Sequence, residues 1–220
     1  MGRAKEIQIK VIPSNIANAF VKKHHYSGKV VNNSQLHFGA FLDGNLHGVL
    51  SYGPSMDKSH VIGLVEGTKW NEFIELNRMA FDDYLPRNSE SYCIARTLKM
   101  IKKNAPHIKW VISFADATQC GDGTIYRASN FVLTGIKKNT SILKNDKGET
   151  IADISLRTRA DMIDHAKEFH KMDGYQLRYI YFIDPAYRER LTVQEVPFSK
   201  IDDIGAGMYK GEKVARGSRR

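Results

Sequence analysis

Asp116 and Tyr126 are the residues of this sequence whose positions most favour acid–base chemistry. Asp116 directly follows the apolar run 108–115 (IKWVISFA), which is typical of a central strand buried on both faces. Ligands of open α/β sheets bind at the carboxyl ends of strands, so a carboxylate there is a candidate general base or metal ligand. A lone aspartate at such a point more often forms an Asx turn or a helix cap. Tyr126 falls in a short helix predicted over 124–130, where its phenol could protonate a leaving group or simply pack in the core.

The histidine pair at 24–25, followed by Tyr26, is a second group of chemistry-bearing side chains. A histidine near a carboxylate can act as a base, and histidine, aspartate and tyrosine side chains can together hold iron. The competing interpretation is a basic helix end that complements the negative end of the helix dipole. Spacing alone leaves both interpretations open.

The loop before a long predicted helix is a candidate phosphate site. A helix start presents free N–H groups and the positive end of a dipole, and both favour phosphate. Charge and hydroxyl donors near this start come from Arg78, Arg87, Ser89 and Ser91. The alternative is that Ser89 and Glu90 only cap the helix and that Arg78 only lies at the surface.

The charge of the chain favours a polyanionic partner over a neutral one. The formal net charge is +9 and the isoelectric point about 9.4, which suits nucleic acid, an anionic membrane face or an acidic protein, although excess lysine also aids solubility. The segment 205–220 is rich in lysine, arginine and glycine, so we expect a flexible basic tail that grips phosphates. The candidate phosphate contacts are Lys22, Lys23, Lys29, Lys210, Lys213 and Arg216.

Several classes of protein are disfavoured. The sequence has no run of about 18 apolar residues, so we expect no membrane span. The first ten residues alternate charged and apolar types and contain no apolar core of a secretory signal, which favours the cytoplasm. Cys93 and Cys120 are the only cysteines and have no neighbouring partner of metal-binding spacing. The short motifs of dinucleotide sites, P-loops, zinc proteases and serine hydrolases are also missing.

The elements that must position these residues alternate between strand and helix patterns. We expect helices from Ser14 to Gly28 and over 89–104, 124–130 and 161–170, with Ser14 and Ser89 as N-caps. The strands are expected at 6–12, 36–41, 47–52, 73–81, 108–115, 131–136 and 176–183, with a tight turn over 43–45 (DGN) between the second and the third. The alternation in the middle of the chain favours an α/β (α+β) fold, with a mixed sheet and right-handed crossovers.

Three long stretches carry a resemblance to a known family. They read HHYSGKVVNNSQLHFGAF, then LVEGTKWNEFIELNRMAFDDYLPRNSES, then HIKWVISFADATQCGDGTIYRASNFVLTG. In this order, from about residue 22 to 137, they resemble the bacteriophage Mom family of DNA-modifying proteins. The resemblance implies one domain over 1–204 that is similar to GNAT acyltransferases, a mixed central sheet flanked by helices on both faces, and a tail over 205–220.

The resemblance also implies an activity and a set of roles. Mom-like proteins convert DNA adenine to an N6-carbamoylmethyl derivative, which blocks host restriction enzymes. The strand–loop–helix around 73–91 is then the site of an acyl donor's pyrophosphate, although Arg87, Asn88 and Ser89 replace the usual glycine-rich loop. In this family Arg78, Ser91 and Tyr126 look like donor-side residues. His25, Tyr26 and Asp116 look like the reactive or iron-binding group.

The expected reaction joins a CH2 carbon to adenine N6, which a simple acetyl transfer does not do. Asp116, with His25 as a second candidate, would accept the N6 proton, and Tyr126 would protonate or orient the leaving group. Acetyl-CoA, a glycyl donor carried on tRNA, and iron stay open as cofactors. Double-stranded DNA is the expected partner, in the cytoplasm of a bacterial host, and the oligomeric state, a dimer included, stays open. The alternatives are an N-acetyltransferase for a protein, small-molecule or aminoacyl-tRNA amine, and a non-catalytic DNA-binding protein.

Overall fold

The computed structural model of this 220-residue chain describes residues 2–117, 123–140, 142–153, 156, 166–205, 208–209 and 212–213. The chain folds into two compact units. The first unit consists of Met1–Phe114, Thr124–Thr134 and Arg178–Pro197, and the second of Ala115–Gly123, Gly135–Leu177 and Phe198–Arg220. The division into a domain over 1–204 and a tail stays a prediction.

The described elements alternate much as the sequence predicts. The strands are β1 (Gln8–Val11), β2 (Leu36–Leu42), β3 (Asn45–Gly53), β4 (Phe73–Phe81), β5 (Trp110–Asp116), β6 (Val132–Lys138), β7 (Ile142–Asn145), β8 (Thr150–Ala152), β9 (Phe169–Lys171), β10 (Tyr175–Phe182), β11 (Met208–Tyr209) and β12 (Glu212–Lys213). The helices are α1 (Ser14–His24), α2 (Lys58–Val61), α3 (Ser89–Asn104), α4 (Thr124–Ala128) and α5 (Ser199–Asp203). Short 3-10 turns cover Arg3–Glu6, Ile62–Leu64, Ala166–Glu168 and Pro185–Arg190.

A seven-stranded mixed sheet has the order β1-β2-β3-β4-β5-β10-β6. Its first four strands pair antiparallel, whereas β4 and β5 pair parallel. Strands β4 and β5 can pair parallel because helix α3 connects them. Parallel neighbours need such a long connection, whereas antiparallel neighbours can join through a tight turn. The prediction of a mixed α/β sheet with helical crossovers is therefore confirmed.

The tightest turn of the sheet joins β2 to β3. Asp43 and Gly44 both have positive φ, at 50° and 83°. Two consecutive positive φ angles define the type I′ turn, whose twist matches that of antiparallel strands and which aspartate followed by glycine favours. The turn signal read from 43–45 is thus confirmed, and it fixes the register of the hairpin.

Helices α1 and α3 cover opposite faces of the strands in the first unit. Ala17 and Val21 of α1 pack in one apolar cluster with Val49 and Ala80 of the sheet. On the other face, Tyr52 lies 2.7 Å from Thr97 Oγ1 of α3. Thr97 gives its own hydrogen to the Ile94 carbonyl at 2.9 Å, so Tyr52 is the donor to Thr97. Alternate residues of β3 therefore face α1 and α3.

The two helix starts differ by one residue from the prediction. Ser14 and Ser89 are the first residues of their helices rather than the caps. The cap positions are taken by Pro13, in extended backbone, and by Asn88, in the left-handed region at φ 69°. Asparagine tolerates that conformation better than other residues with a Cβ atom, which explains why it can stand at this sharp turn.

The second unit contains a three-stranded antiparallel sheet in the order β8-β7-β9, on which Leu143, Ile151 and Leu156 form a small core. The helix predicted over 161–170 is wrong at its end, because Phe169 and His170 pair with Asn145 and Lys144 across β9 and β7. Residues 161–165 lie outside the described part of the chain. In the predicted tail, β11 and β12 pair antiparallel, and the described helices include none that is long and apolar enough to cross a membrane.

Candidate active site

Strands β4 and β5 diverge in the middle of the first unit. Their parallel register covers Phe73–Trp110, Ile74–Val111 and Glu75–Ile112, at the start of both strands. At the next residue of each strand, the Ser113 hydroxyl of β5 donates to the Leu76 carbonyl of β4 at 3.1 Å. A side-chain hydrogen bond therefore replaces the backbone pairing where that pairing ends. Two parallel strands that separate in this way open a cleft within the sheet, and ligands of such sheets bind beyond the carboxyl ends of the strands.

Tyr126 lies at this point of divergence. Ser113 Oγ is 2.8 Å from the Tyr126 hydroxyl, and the Tyr126 ring stacks on Tyr179 with centroids 4.9 Å apart. The side chain is only 8% exposed. Its phenol is therefore held in one position by a hydroxyl and an aromatic neighbour, as a positioned proton donor requires.

A β-bulge at Asn77 interrupts the antiparallel pairing of β3 and β4. Ser51 pairs with Arg78 and Tyr52 pairs with Leu76, so Asn77 is the extra residue of β4. Bulges re-aim side chains and are frequent beside active sites. Here the bulge lies beside the point where β4 leaves β5, and Asn77 is 7% exposed.

A row of polar side chains crosses three strands next to the bulge. His37 pairs with Ser51, and Ser51 pairs with Arg78, so the three side chains share the α1 face. The His37 Nδ1 atom lies 2.8 Å from Ser51 Oγ, and burial lowers the pKa of this histidine. Polar groups on a sheet face that is otherwise core are costly unless they serve a ligand or a network. We call this row, with Glu75 and Asn77, the polar patch.

Arg78 connects the polar patch to the segment after α1. Its Nε donates to the Lys29 carbonyl at 3.0 Å, and its Nη1 donates to the Asn77 carbonyl at 3.0 Å. Its charge also reaches His25 and Glu75, whose pKa values it lowers. Because Arg78 shares the face of α1, it lies across the sheet from the start of α3, where the other proposed donor-side residues stand.

His25 is held as a neutral ring. The Ser27 amide donates to its Nδ1 at 3.1 Å, so the ring hydrogen is on Nε2. Burial, and secondarily the charge of Arg78, lower its pKa to about 4. This environment favours a hydrogen-bond donor over a base at neutral pH. Tyr26 packs its ring 4.3 Å from that of His25 and is 48% exposed.

Glu75 is the perturbed carboxyl of the polar patch. Burial raises its pKa, while the nearby Ser55 and Asn77 side chains, the Arg78 charge and the Met56 amide lower it by less. A carboxyl kept from full solvation in this way marks a candidate functional group. Sequence reasoning missed Glu75 together with Asn77 and His37, although polar residues at alternating positions inside apolar strands are a readable signal of a polar patch on one face.

The start of α3 supplies fewer donors than the sequence suggests. The Ser89 hydroxyl donates to the Pro86 carbonyl, and the Ser91 hydroxyl donates to the Asn88 carbonyl at 3.2 Å. Ser89 is buried, whereas Arg87 is exposed beside it. Arg87 and the backbone of the helix start are thus the groups of this loop best placed to meet a phosphate.

The remaining predicted residues have different surroundings. Asp116 ends β5, is partly buried and belongs to the second unit, and its role stays a prediction. Lys22, Lys23 and Lys29 are exposed at and after the end of α1. Lys210 and Arg216 lie outside the described residues, and of Lys213 only the backbone, in β12, is described.

A cavity of about 250 Å³ lies elsewhere in the first unit, at the starts of β4 and β5 and the end of α3. Its polar lining comes from Gln35, Lys58, Asn71 and His107, and none of the residues that the sequence singled out lines it. Within the described residues, no group of three or more histidine, cysteine, aspartate or glutamate side chains could hold a metal ion. The iron set of His25, Tyr26 and Asp116 therefore gains no support from the structure.

Comparison with known proteins gives one sequence match and several matches of fold. The model of the Mom protein family matches residues 6–200. The methylcarbamoylase Mom of Escherichia phage Mu is 35% identical over 201 residues, which are 87% of this chain and 81% of that protein. A spermidine/spermine N-acetyltransferase from Vibrio cholerae has a similar fold, with a TM-score of 0.51 at 8% identity over 86% of this chain and 99% of the other. The ribosomal-protein-S18-alanine N-acetyltransferase of Escherichia coli gives a TM-score of 0.49 at 10% identity, over 81% and 94% of the two chains.

Proposed function

The chain belongs to the Mom protein family, and we propose on that basis that it is a transferase that modifies adenine in DNA. The proposed product is the N6-carbamoylmethyl derivative, which would protect phage DNA from host restriction. The observation that carries the proposal is the 35% identity with a methylcarbamoylase over 87% of the chain. The acetyltransferase-like fold is compatible with group transfer but shows no substrate.

The acceptor nitrogen needs help from the protein. The lone pair of adenine N6 is delocalised into the ring, so the reaction needs a base and a positioned electrophile. We assign proton acceptance to Asp116 at the end of β5. His25 would assist as a neutral donor through Nε2–H rather than as a base, because its pKa lies at about 4.

Tyr126 is assigned to the leaving group. Its phenol lies where β4 and β5 diverge and is held by Ser113 at 2.8 Å. A phenol with a pKa near 10 in water is protonated at neutral pH and can give its hydrogen to a departing anion. Removal of such a positioned acid typically slows a reaction about 10²- to 10⁴-fold.

The donor is proposed to be an activated acyl compound, either acetyl-CoA or a glycyl group carried on tRNA. A glycyl group contains the same atoms as a carbamoylmethyl group, so a bound glycyl donor would supply every atom that the product gains, and transfer of its acyl carbon to N6 would have to be followed by a rearrangement that leaves the CH2 carbon on N6. Acetyl-CoA would supply only the two carbons and would need a separate nitrogen source and an oxidant. Arg87 and the start of α3 would hold its phosphate, while the Ser89 and Ser91 hydroxyls keep the loop in shape through their own carbonyl contacts. Arg78 would act from the opposite face, on the acceptor side of the cleft.

The proposed partner is double-stranded DNA in the host cytoplasm. Lys22, Lys23 and Lys29 are exposed near His25 in the sequence and would bind phosphates on either side of the target base. A stacked adenine is out of reach, so the base must leave the duplex, at a cost of a few kcal/mol. The basic segment 205–220 would add sequence-independent affinity.

Expression of wild-type and Asp116→Ala chains in bacteria tests the proposal. Nucleosides from total DNA are separated and weighed by mass spectrometry, and DNA affinity of the purified chains is measured in parallel. We expect modified deoxyadenosine with the wild type, none with Asp116→Ala, and equal DNA affinity. Modification that persists in Asp116→Ala would refute the assigned base. Unmodified DNA together with an acetylated amine would identify an N-acetyltransferase instead.

A further inference from the structure

Two amides, that of Asn77 in the bulge of β4 and that of Asn33 in the loop before β2, each use only half of their hydrogen-bonding capacity. Ser34 Oγ donates to Asn77 Oδ1 at 3.1 Å, and Asn33 Nδ2 donates to the Pro54 carbonyl at 2.6 Å. The other half of each amide, Asn77 Nδ2 and Asn33 Oδ1, is buried without a hydrogen bond among the described residues. The Pro54 carbonyl can only accept, which fixes the Asn33 amide with its nitrogen toward Pro54. The Ser34 hydroxyl can donate or accept, and the orientation of the Asn77 amide is instead the one that places its donor toward the Glu75 carboxyl, whose pKa it lowers.

Leaving such groups unpaired is costly. A buried donor or acceptor without a partner costs about 1–3 kcal/mol, and native proteins pair the large majority of them. Two such atoms, one donor and one acceptor, on residues that both contact Gly53, therefore indicate a site for a polar molecule. Asn77 is more than nine-tenths buried, so its orientation is fixed by the strand and not by solvent.

Both asparagines approach the same glycine. A Cβ atom on Gly53 would lie 2.3 Å from the backbone carbonyl oxygen of Asn33 and 2.9 Å from Asn77 Oδ1. Only a residue without a side chain admits this approach, so Gly53 brings the loop of Asn33 against the bulge of β4. The free donor and the free acceptor thus belong to one small region of the α1 face.

Glu75 lies on β4, two residues before Asn77. It lies opposite Gly53 in the register of β3 and β4. The Asn77 side chain is close enough to the Glu75 carboxyl to lower its pKa, although Asn77 Nδ2 makes no hydrogen bond of ordinary geometry to it. The region therefore offers one amide N–H donor, one amide carbonyl acceptor and a carboxyl acceptor.

We propose that Asn33, Asn77 and Glu75 bind the amino edge of a planar heteroaromatic base, with Asn77 Nδ2 donating to a ring nitrogen and Asn33 Oδ1 or Glu75 accepting from the exocyclic amino group. Adenine offers this combination of a ring acceptor beside an amino donor. The inference rests on the proposed function, because that function makes adenine the acceptor. It adds the residues that recognise the base, which are distinct from Asp116 and Tyr126.

The donors already present on the α1 face limit which residues can accept from the amino group. Arg78 and His25 lie on this face and are both hydrogen-bond donors at neutral pH, so they cannot accept from the amino group. Acceptors must come from Asn33 and Glu75. Each correct pair of hydrogen bonds to a base typically discriminates by about 1–3 kcal/mol against a base that lacks it, which is roughly 5- to 150-fold in affinity.

Asn77→Asp is the sharpest test, since it keeps the acceptor for Ser34 and turns the free donor into an acceptor. Asn32→Asp, in the exposed part of the same loop, makes the same change of charge and is the matched control. The probes are four duplexes that differ in one base: adenine, purine without the amino group, 1-deazaadenine or 7-deazaadenine. Each deaza base lacks one ring nitrogen. The base stands opposite an abasic site in every duplex, because an unpaired base leaves the duplex at a lower energetic cost. The ratio of dissociation constants within one variant is not altered by a partly unfolded sample.

We expect the wild type and Asn32→Asp to bind the adenine duplex about tenfold more tightly than the purine duplex and one of the two deaza duplexes. Asn77→Asp, and Asn77→Ala if the first variant does not fold, should lose the preference over the deaza duplex, because the donor to the ring nitrogen is gone, and should keep the preference over the purine duplex, because Asn33 and Glu75 still accept from the amino group. An Asn77 variant that keeps the wild-type preference over the deaza duplex would overturn the inference and leave the proposed function intact. A wild type that modifies adenine in cells but shows no preference would overturn it too, whereas a wild type that neither prefers nor modifies adenine would refute the proposed function itself.

Discussion

Ser113 Oγ lies 2.8 Å from the Tyr126 hydroxyl and 3.1 Å from the Leu76 carbonyl of the neighbouring strand. One hydroxyl thus ties the phenol to the place where β4 leaves β5. The pairing of β4 with β5 ends next to Asn77, the bulged residue of β4. The Asn77 side chain lies with the polar patch on the α1 face. The proposed leaving-group acid and the proposed base-recognition site therefore lie at the same point along β4.

Tyr126→Phe should lose modification and keep the fold. The phenol contributes a proton or an orienting hydrogen bond that phenylalanine lacks, so we expect the modified fraction of adenine to fall about 100-fold or more. Ser113→Ala keeps the phenol but frees its orientation, and should cost less, about tenfold. The modified fraction is measured by nucleoside mass spectrometry at equal protein level. Equal loss in both variants would show that the hydroxyl of Ser113 matters in its own right.

Glu75→Gln should stabilise the protein at neutral pH. Burial raises the folded-state pKa of Glu75 above its usual value of 4.5, so the charged form costs stability in the fold. Glutamine removes this cost, and its advantage should shrink as the pH falls through the raised pKa, where the wild-type carboxyl becomes neutral. Urea unfolding at a series of pH values from 8 to 4 measures the difference. Glu149→Gln, in the second unit, is a control, and a variant less stable than the wild type at pH 7 would contradict the account.

His25 should make the stability of the fold depend on pH. Its folded value of about 4 lies below the usual 6.5, so the unfolded chain binds one more proton between these values. The fold should therefore lose up to about 1.4 kcal/mol of stability per pH unit from this histidine as the pH falls from about 6.5 to 4.

Arg78→Gln removes the second cause of that shift, so the pKa of His25 should rise, although burial keeps it below 6.5. Titration of the imidazole carbon-bound protons by NMR measures the change. Arg87→Gln, which removes a charge elsewhere, should leave the value unchanged. A His25 pKa that does not move in Arg78→Gln would show that the guanidinium does not act on the ring.

Lys22 and Lys23 should bind DNA through its phosphates. Both are exposed in the last turn of α1. Each alanine substitution should weaken binding equally for all sequences and reduce the slope of log affinity against log salt by about 1. Lys102→Ala, at the end of α3, is the matched control for a lost lysine in a last helical turn. A slope that stays constant in the Lys22 and Lys23 variants would exclude these lysines from the DNA interface.

Local patterns predicted most elements of the first unit because the determinants were local. The apolar run before Asp116, the Asp43–Gly44 turn and the amphipathic stripe of α3 each follow from a few neighbouring residues. The end of the helix predicted at 161–170 was wrong because β9 owes its form to pairing with β7, which is not encoded near Phe169. Residue pairs far apart in sequence decide such strands.

The candidate site was only partly predictable for the same reason. Tyr126 could be singled out from its helix, but its partner Ser113 is defined by the divergence of two strands. The polar patch depends on register: His37, Ser51 and Arg78 come from three strands and meet only when these pair as they do. The half-used amides of Asn33 and Asn77 require coordinates, because a sequence does not show which hydrogen bonds are missing.

Nucleoside analysis of DNA from bacteria that express the wild-type chain decides whether this protein modifies adenine. We expect a deoxyadenosine species whose added mass equals a carbamoylmethyl group in place of one hydrogen and stays on the base after the sugar is removed. In cells that express Tyr126→Phe the same species should fall about 100-fold or more. DNA in which every deoxyadenosine is unmodified, despite abundant folded wild-type protein and donor, would refute adenine modification by this protein.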